Sequence, residues 1–247
     1  VYGYVKNATV EFQNPIATLE VENFGTIKIE LYPDKAKNTV TNFITLSNNE
    51  FYDGLTFHRI MSDFMIQGGD PEGDGTGGPS LSAINKDIEK DSEEDTDYCI
   101  KGEFIANGYN NNTIRFEKGV IAMARSDYSS IDSSLTKEGY NSAGSQFFIM
   151  TEENDNLKGY YAAFGKVTEG YDVLEAIANV EVTSGNDETS ESEETTEDST
   201  AEVSTPVNPP VITSIRVETF GVDYGTPETV EPFDYYSWLM QHYSVQQ

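Results

Sequence analysis

Residues 51–80 read FYDGLTFHRIMSDFMIQGGDPEGDGTGGPS. Two short apolar runs, 55–61 and 64–67, flank a Ser62-Asp63 turn and lead into a glycine-rich stretch, the pattern of a β-hairpin that opens onto a loop. His58, Arg59 and Gln67 interrupt strands that would otherwise be continuous core. An arginine in such a run needs a reason, because a buried guanidinium is costly unless several of its five donors find partners. In an arbitrary strand it would lie at an edge with its head in water; here its neighbours are aromatic and sulfur side chains.

Upstream, IATLEV (16–21) and TIKIELY (26–32) alternate apolar and polar residues about an Asn-Phe-Gly turn, as a half-buried antiparallel hairpin does. Pro33-Asp34 then opens a stretch with Ala36, Val40, Phe43, Ile44 and Leu46 at helical spacing, Asp34 serving as N-cap and Asn48-Asn49 as the stop. Downstream, residues 85–98 form an acidic insertion too charged to pack, expected as an exposed loop. GVIAMA, SQFFIM and AAFGKV follow as three buried strands, with a long polar loop (125–144) between the first two. Residues 169–180 are expected as a second amphipathic helix with Val173, Leu174 and Ile177 inward. From 183 to 205 the composition collapses to Ser, Thr, Glu and Asp, with eight acids and no base, which predicts a mobile loop. It is a loop and not a tail, because 210–221 returns to strand alternation. The chain thus divides into an N-terminal arm (1–14), a main domain (15–221) and an extension (222–247). A helix over 233–243 of the extension would gather Tyr236, Leu239, Met240 and Tyr243 on one face, docked on the domain or turned to a partner.

Among the 247 residues, 43 acids against 15 bases give a net charge of −28, which argues against nucleic acid and anionic membrane as partners. No apolar run reaches eighteen residues, so no membrane-spanning helix is expected. Cys99 stands alone, excluding an intrachain disulfide and a cysteine metal cluster. Asp70, Glu72 and Asp74 lack the closing Glu of a calcium loop, and GDGTGG lacks the Lys of a phosphate loop; the glycines read as tight turns, with no metal and no cofactor. The opening VYGYVKNATV, with neither Met nor charged leader, reads as an extracytoplasmic protein whose targeting peptide has been trimmed, the alternative being cytoplasmic.

FHRI followed by FMIQGGD and GTGG, then GVIAMAR (119–125), AGSQFFI (143–149) and AAFGKV, closely resembles the signature of the cyclophilin-type peptidyl-prolyl isomerases, over about residues 15–182 plus the strand after Pro210. The resemblance implies a mainly-β fold: a closed eight-stranded antiparallel β-barrel capped by two α-helices, with 210–221 as the closing strand. It implies cis–trans isomerisation of Xaa-Pro bonds in proline-containing peptides and unfolded protein clients. Arg59 matches the catalytic arginine and Gln67 the residue that supports it. Phe64, Met65, Phe148 and Leu157 match the apolar cup for the proline ring, and Ala124, Arg125 and Gln146 the adjoining groove. Two departures stand out: Asn156-Leu157 and Tyr161 replace a common Trp-Leu and His, and Arg125 replaces a common Asn. The lost indole implies weak cyclosporin binding. His58 has no proton to move in such a reaction and reads as structural. The reading from a different class is a proline-peptide binding module or chaperone with little turnover.

Overall fold

The computed structural model describes residues 13–184 and 202–243. The N-terminal arm, but for residues 13 and 14, and the stretch 185–201 of the acidic loop lie outside them. In chain order the elements are β1 (Ile16–Val21), β2 (Gly25–Leu31), α1 (Lys37–Asn48), β3 (Thr56–Met61), β4 (Met65–Asp70), β5 (Val120–Met123), α2 (Thr136–Tyr140), β6 (Phe147–Met150), β7 (Ala163–Glu169), α3 (Tyr171–Ala178), β8 (Val182–Thr183), β9 (Thr205–Pro206), β10 (Ile212–Glu218) and α4 (Tyr235–Tyr243).

Eight strands form one curled antiparallel sheet in the order β10-β1-β2-β7-β5-β6-β4-β3. It is an open half-barrel accompanied by four helices, so the expected closed barrel with two helices is corrected. Among the described residues the two edges meet near the start of β10, through a Thr56–Val211 bridge and hydrogen bonds from Phe57 N to the Pro210 carbonyl, Ile212 N to the Leu55 carbonyl and Gly54 N to the Ile212 carbonyl. Pro209 and Pro210 have no N–H to extend this short seam, and no ladder joins β3 to β10 among the described residues.

Side-chain alternation gives the sheet two different faces. Ile121, Phe147 and Ile149 point inward with Phe43 of α1 and Leu174 and Ile177 of α3, and Phe43, Tyr52, Phe147 and Phe164 interlock with ring centroids 5.1–5.6 Å apart. Val120, Ala122, Phe148 and Met150 point the other way and form a second, smaller apolar cluster with Met65, Phe116 and Ala163. That outer cluster is the floor of the candidate site.

Several local expectations change. α1 is not capped by Asp34: Glu103, 6% exposed, reaches in from a distant loop and accepts from Asn38 N, Thr39 N and Thr39 Oγ1 at 2.7–3.1 Å. An anion on the unpaired N–H groups at the positive end of the helix dipole does the work of a local cap. The polar loop after Arg125 contains α2, whose starting side chains leave no apolar stripe to read. The ends of the acidic 183–205 stretch are not loose: β8 pairs with β9, and Ile60 N donates to the Ser204 carbonyl at 2.7 Å. In the extension, Tyr236 and Met240 of the face expected to dock are 81% and 69% exposed, while Leu239 is half-buried. The segment is fastened by the Asn38 side-chain amide, which pairs with the Glu228 backbone, by paired Cys99–Val230 backbone bonds and by Tyr235 and Phe233 against Tyr128.

Replacing Glu103 by Ala leaves the buried Thr39 N–H and the half-buried Asn38 N–H of the helix without their acceptor, so its unfolding free energy in urea is expected to fall by about 2 to 4 kcal/mol. Asp34→Ala, which removes no such bond, is expected to leave the urea midpoint unchanged.

Candidate active site

The placement of Arg59 follows from a shift in strand register. Phe57 faces Gly68 and Arg59 faces Gln67, so His58 is an extra residue on β3; one step earlier Thr56 faces Asp70, leaving Gly69 extra on β4. A bulge changes the phase of alternation. Phe57 and Ile60 both enter the core, while Arg59 and Met61 reach the outer face. Gly69 meets its half of the bulge with φ +85°, where a Cβ would also lie 2.6 Å from the Ser145 carbonyl. His58 is buried, and among the described residues neither ring nitrogen has a protein hydrogen-bond partner. Burial, aided by the Arg59 charge, holds its imidazole below the ordinary value of 6.5 despite the opposing pull of Asp70 and Asp74.

On the outer face, Arg59, Phe64, Met65, Gln67, Ala124, Arg125, Phe148, Leu157 and Tyr161 line one cavity of about 200 Å³. Nine of the ten residues singled out from the sequence therefore converge. Met65 and Phe148 form its floor, and the half-buried Phe64, Leu157 and Tyr161 its walls, with the Tyr161 ring edge-on to Phe148 at 5.7 Å. Leu157 is delivered by a short 3-10 turn, Asp155–Leu157, capped by the Asn154 side chain. Asn156 in that turn is exposed.

The tenth residue, Gln146, lies next door and ties the site to the glycine loop. Arg59 Nη1 donates to Gln67 Oε1 at 3.3 Å, Gln67 Nε2 donates to Gln146 Oε1 at 2.9 Å, and Gln146 Nε2 donates to the Gly75 and Gly77 carbonyls. The opposite edge of Arg59 is held by Glu202, at 2.6 and 2.7 Å. Those bonds hold the Glu202 carboxyl down at about 2. Arg125 is braced differently: its guanidinium lies 4.5 Å over the Tyr161 ring and 5.1 Å from that of Tyr140, with Nε donating to the Tyr160 carbonyl.

A second cavity of about 340 Å³ adjoins the first through Gln67, Ala124 and Arg125. Its far wall contains Tyr128 together with Pro232 and Phe233, which the extension brings back over the domain. Sequence reasoning missed Glu202, Tyr128 and Phe233 as neighbours of the site. Glu202 had no distinguishing mark among eight acids, and the aromatic pair is joined only by tertiary packing.

Comparison with known proteins agrees with this architecture. The family model of the cyclophilin type peptidyl-prolyl cis-trans isomerases matches residues 16–201. The chain is 37% identical over 162 residues to peptidyl-prolyl cis-trans isomerase B of Bacillus subtilis, covering 66% of this chain and 90% of that one. It is 36% identical over 164 residues to a peptidyl-prolyl cis-trans isomerase of Synechococcus elongatus, covering 66% and 87%. A solved cyclophilin type isomerase of Cryptosporidium parvum, crystallised in the presence of the dipeptide Ala-Pro, shares the fold at TM-score 0.57 and 24% identity, over 82% of this chain and 98% of that one.

The buried His58 makes stability depend on pH. Below pH 6.5 the unfolded chain takes up a proton that the folded chain refuses, so stability present above that value is lost as the pH falls toward the lowered folded value. The thermal midpoint is expected to drop between pH 7.5 and 5.5, and to drop less steeply in His58→Leu, measured by circular dichroism in matched buffers.

Proposed function

The chain belongs to the cyclophilin-type peptidyl-prolyl cis-trans isomerases, and from this we propose how its own residues turn the Xaa-Pro bond. Rotation about that bond faces a barrier of about 20 kcal/mol set by amide resonance. No covalent bond breaks and no proton leaves, so catalysis consists in stabilising the twisted amide. As it twists, the prolyl nitrogen recovers a lone pair that a donor can meet. Such a contact is strong only in the transition state, where binding energy accelerates a reaction.

Arg59 is that donor, and the apolar cup of Phe64, Met65, Phe148 and Leu157 holds the proline ring beside it. The observation that carries this reading is the guanidinium at the rim of a cavity whose cup is apolar, its Nη1 turned toward Gln67 and the cup. Gln67 fixes the height of the guanidinium and, with Gln146, offers amide groups to the peptide backbone. Ala124 and Arg125 lie between the two cavities, so a bound peptide runs from the cup into the second one. The aromatic wall of Tyr128 and Phe233 then limits the residue on that side of the proline. Folding clients with accessible Xaa-Pro bonds are the substrates. A binding module with little turnover is not favoured, since the family and its relatives are isomerases.

Arg59→Ala is expected to lower kcat/KM in a protease-coupled Xaa-Pro assay about a hundredfold, or about 2.7 kcal/mol of barrier, with the fold intact by circular dichroism. Cyclosporin should inhibit weakly, because exposed Asn156 offers a hydrated amide where an indole would give apolar contact. Asn156→Trp is expected to tighten inhibition about tenfold, or about 1.4 kcal/mol, in the same assay.

A further inference from the structure

We propose that Glu202 is a positioning residue for the isomerase reaction, clamping the outer edge of the Arg59 guanidinium so that Nη1 is presented to the prolyl nitrogen. The inference rests on the reading of Arg59 as the donor. Two parallel bonds, Nε to Oε1 at 2.6 Å and Nη2 to Oε2 at 2.7 Å, chelate one edge of the guanidinium. Nη1 remains on the side of Gln67 and the cup, donating to Gln67 Oε1 at 3.3 Å and reaching the Met65 sulfur at 3.9 Å, while the Met61 sulfur lies 3.5 Å from Nη2. Glu202 does not line the proline cavity, so its carboxylate steers the arginine without filling the place of the ring.

The clamp is itself fixed to the fold. Ser204 Oγ donates to Glu202 Oε1 at 2.7 Å, the Ser204 carbonyl accepts from Ile60 N, and Ser204 N donates to the Thr183 carbonyl. Ile60 directly follows Arg59, so clamp and arginine share one stretch of backbone. A free arginine side chain samples many rotamers. Bidentate pairing removes that freedom before substrate arrives, which is how orientation lowers a barrier. With its carboxyl held at about 2, Glu202 stays charged across the neutral range. Both side chains are partly exposed, at 32% and 46%, so the pair adds little to fold stability and its effect falls on the reaction.

The test compares the full chain with Glu202→Ala, Glu202→Gln, Arg59→Ala and the double variant, by NMR exchange and the protease-coupled assay on one Xaa-Pro peptide. Glu202→Ala is expected to lower kcat about tenfold with KM and thermal midpoint nearly unchanged, and Glu202→Gln to fall between it and the native chain. Added formate, a free carboxylate, should restore part of the activity of Glu202→Ala and none in Arg59→Ala, and the double variant should be no slower than Arg59→Ala. A native rate in Glu202→Ala beside a crippled Arg59→Ala overturns the inference and leaves Arg59 in place. A faster Glu202→Ala also overturns it, making the carboxylate a brake. Full activity in Arg59→Ala removes the donor reading first.

Discussion

The phase of one strand decides what the rest of the molecule can do. Between Phe57 and Ile60 the side chains must serve two faces of the sheet, and the extra residue His58 lets Phe57 and Ile60 both enter the core while Arg59 leaves it. With strict alternation, Arg59 would share the inward face with Phe57, among the interlocked aromatic rings, where an unpaired guanidinium costs several kcal/mol or more. The bulge converts that liability into a polar group standing over an apolar floor. The cost is local: a buried imidazole and a glycine held at positive φ.

The remaining site is built on rigid elements. Met65 and Gln67 come from β4 and Phe148 from β6, strands paired in register at Met65–Met150 and Gln67–Phe148, so cup and guanidinium share one backbone frame. Both cations of the site are braced from within the chain, Arg59 by a carboxylate and an amide, Arg125 by ring faces and a carbonyl. In a protein of net charge −28 such bracing matters, because many other acids could draw a loose arginine away.

What was legible in the sequence, and what was not, divides by distance along the chain. The strands could be read because alternation is a local pattern: β3 falls within the first apolar run that flanks Ser62-Asp63, and β4 starts in the second and continues past it through Gly68 and Gly69 to Asp70. Nine residues that line the cup could be picked because their order and spacing match a known signature. The bulge could not, since FHRI reads equally well as unbroken strand until its partner is known. Glu103 as the cap of α1 and Glu202 as the partner of Arg59 were hidden for the same reason: each acts 64 or more positions away, and a carboxylate carries no mark of the group it will meet. Openness of the sheet was hidden because a family likeness conveys the strands and their order, while the unzipped edge depends on where Pro209 and Pro210 fall.

The extension that returns over Tyr128 has a consequence for synthesis. β10, which flanks β1 in the sheet, leaves the ribosome before Val230 pairs with Cys99 and before Phe233 reaches the second cavity. Domains fold as their segments emerge. The strands that carry the cup and its guanidinium are thus all made while the neighbouring groove still lacks the Phe233 half of its aromatic wall. On the reading proposed above, the order of biosynthesis puts the means of turning a prolyl bond before the full means of choosing among the sequences around it.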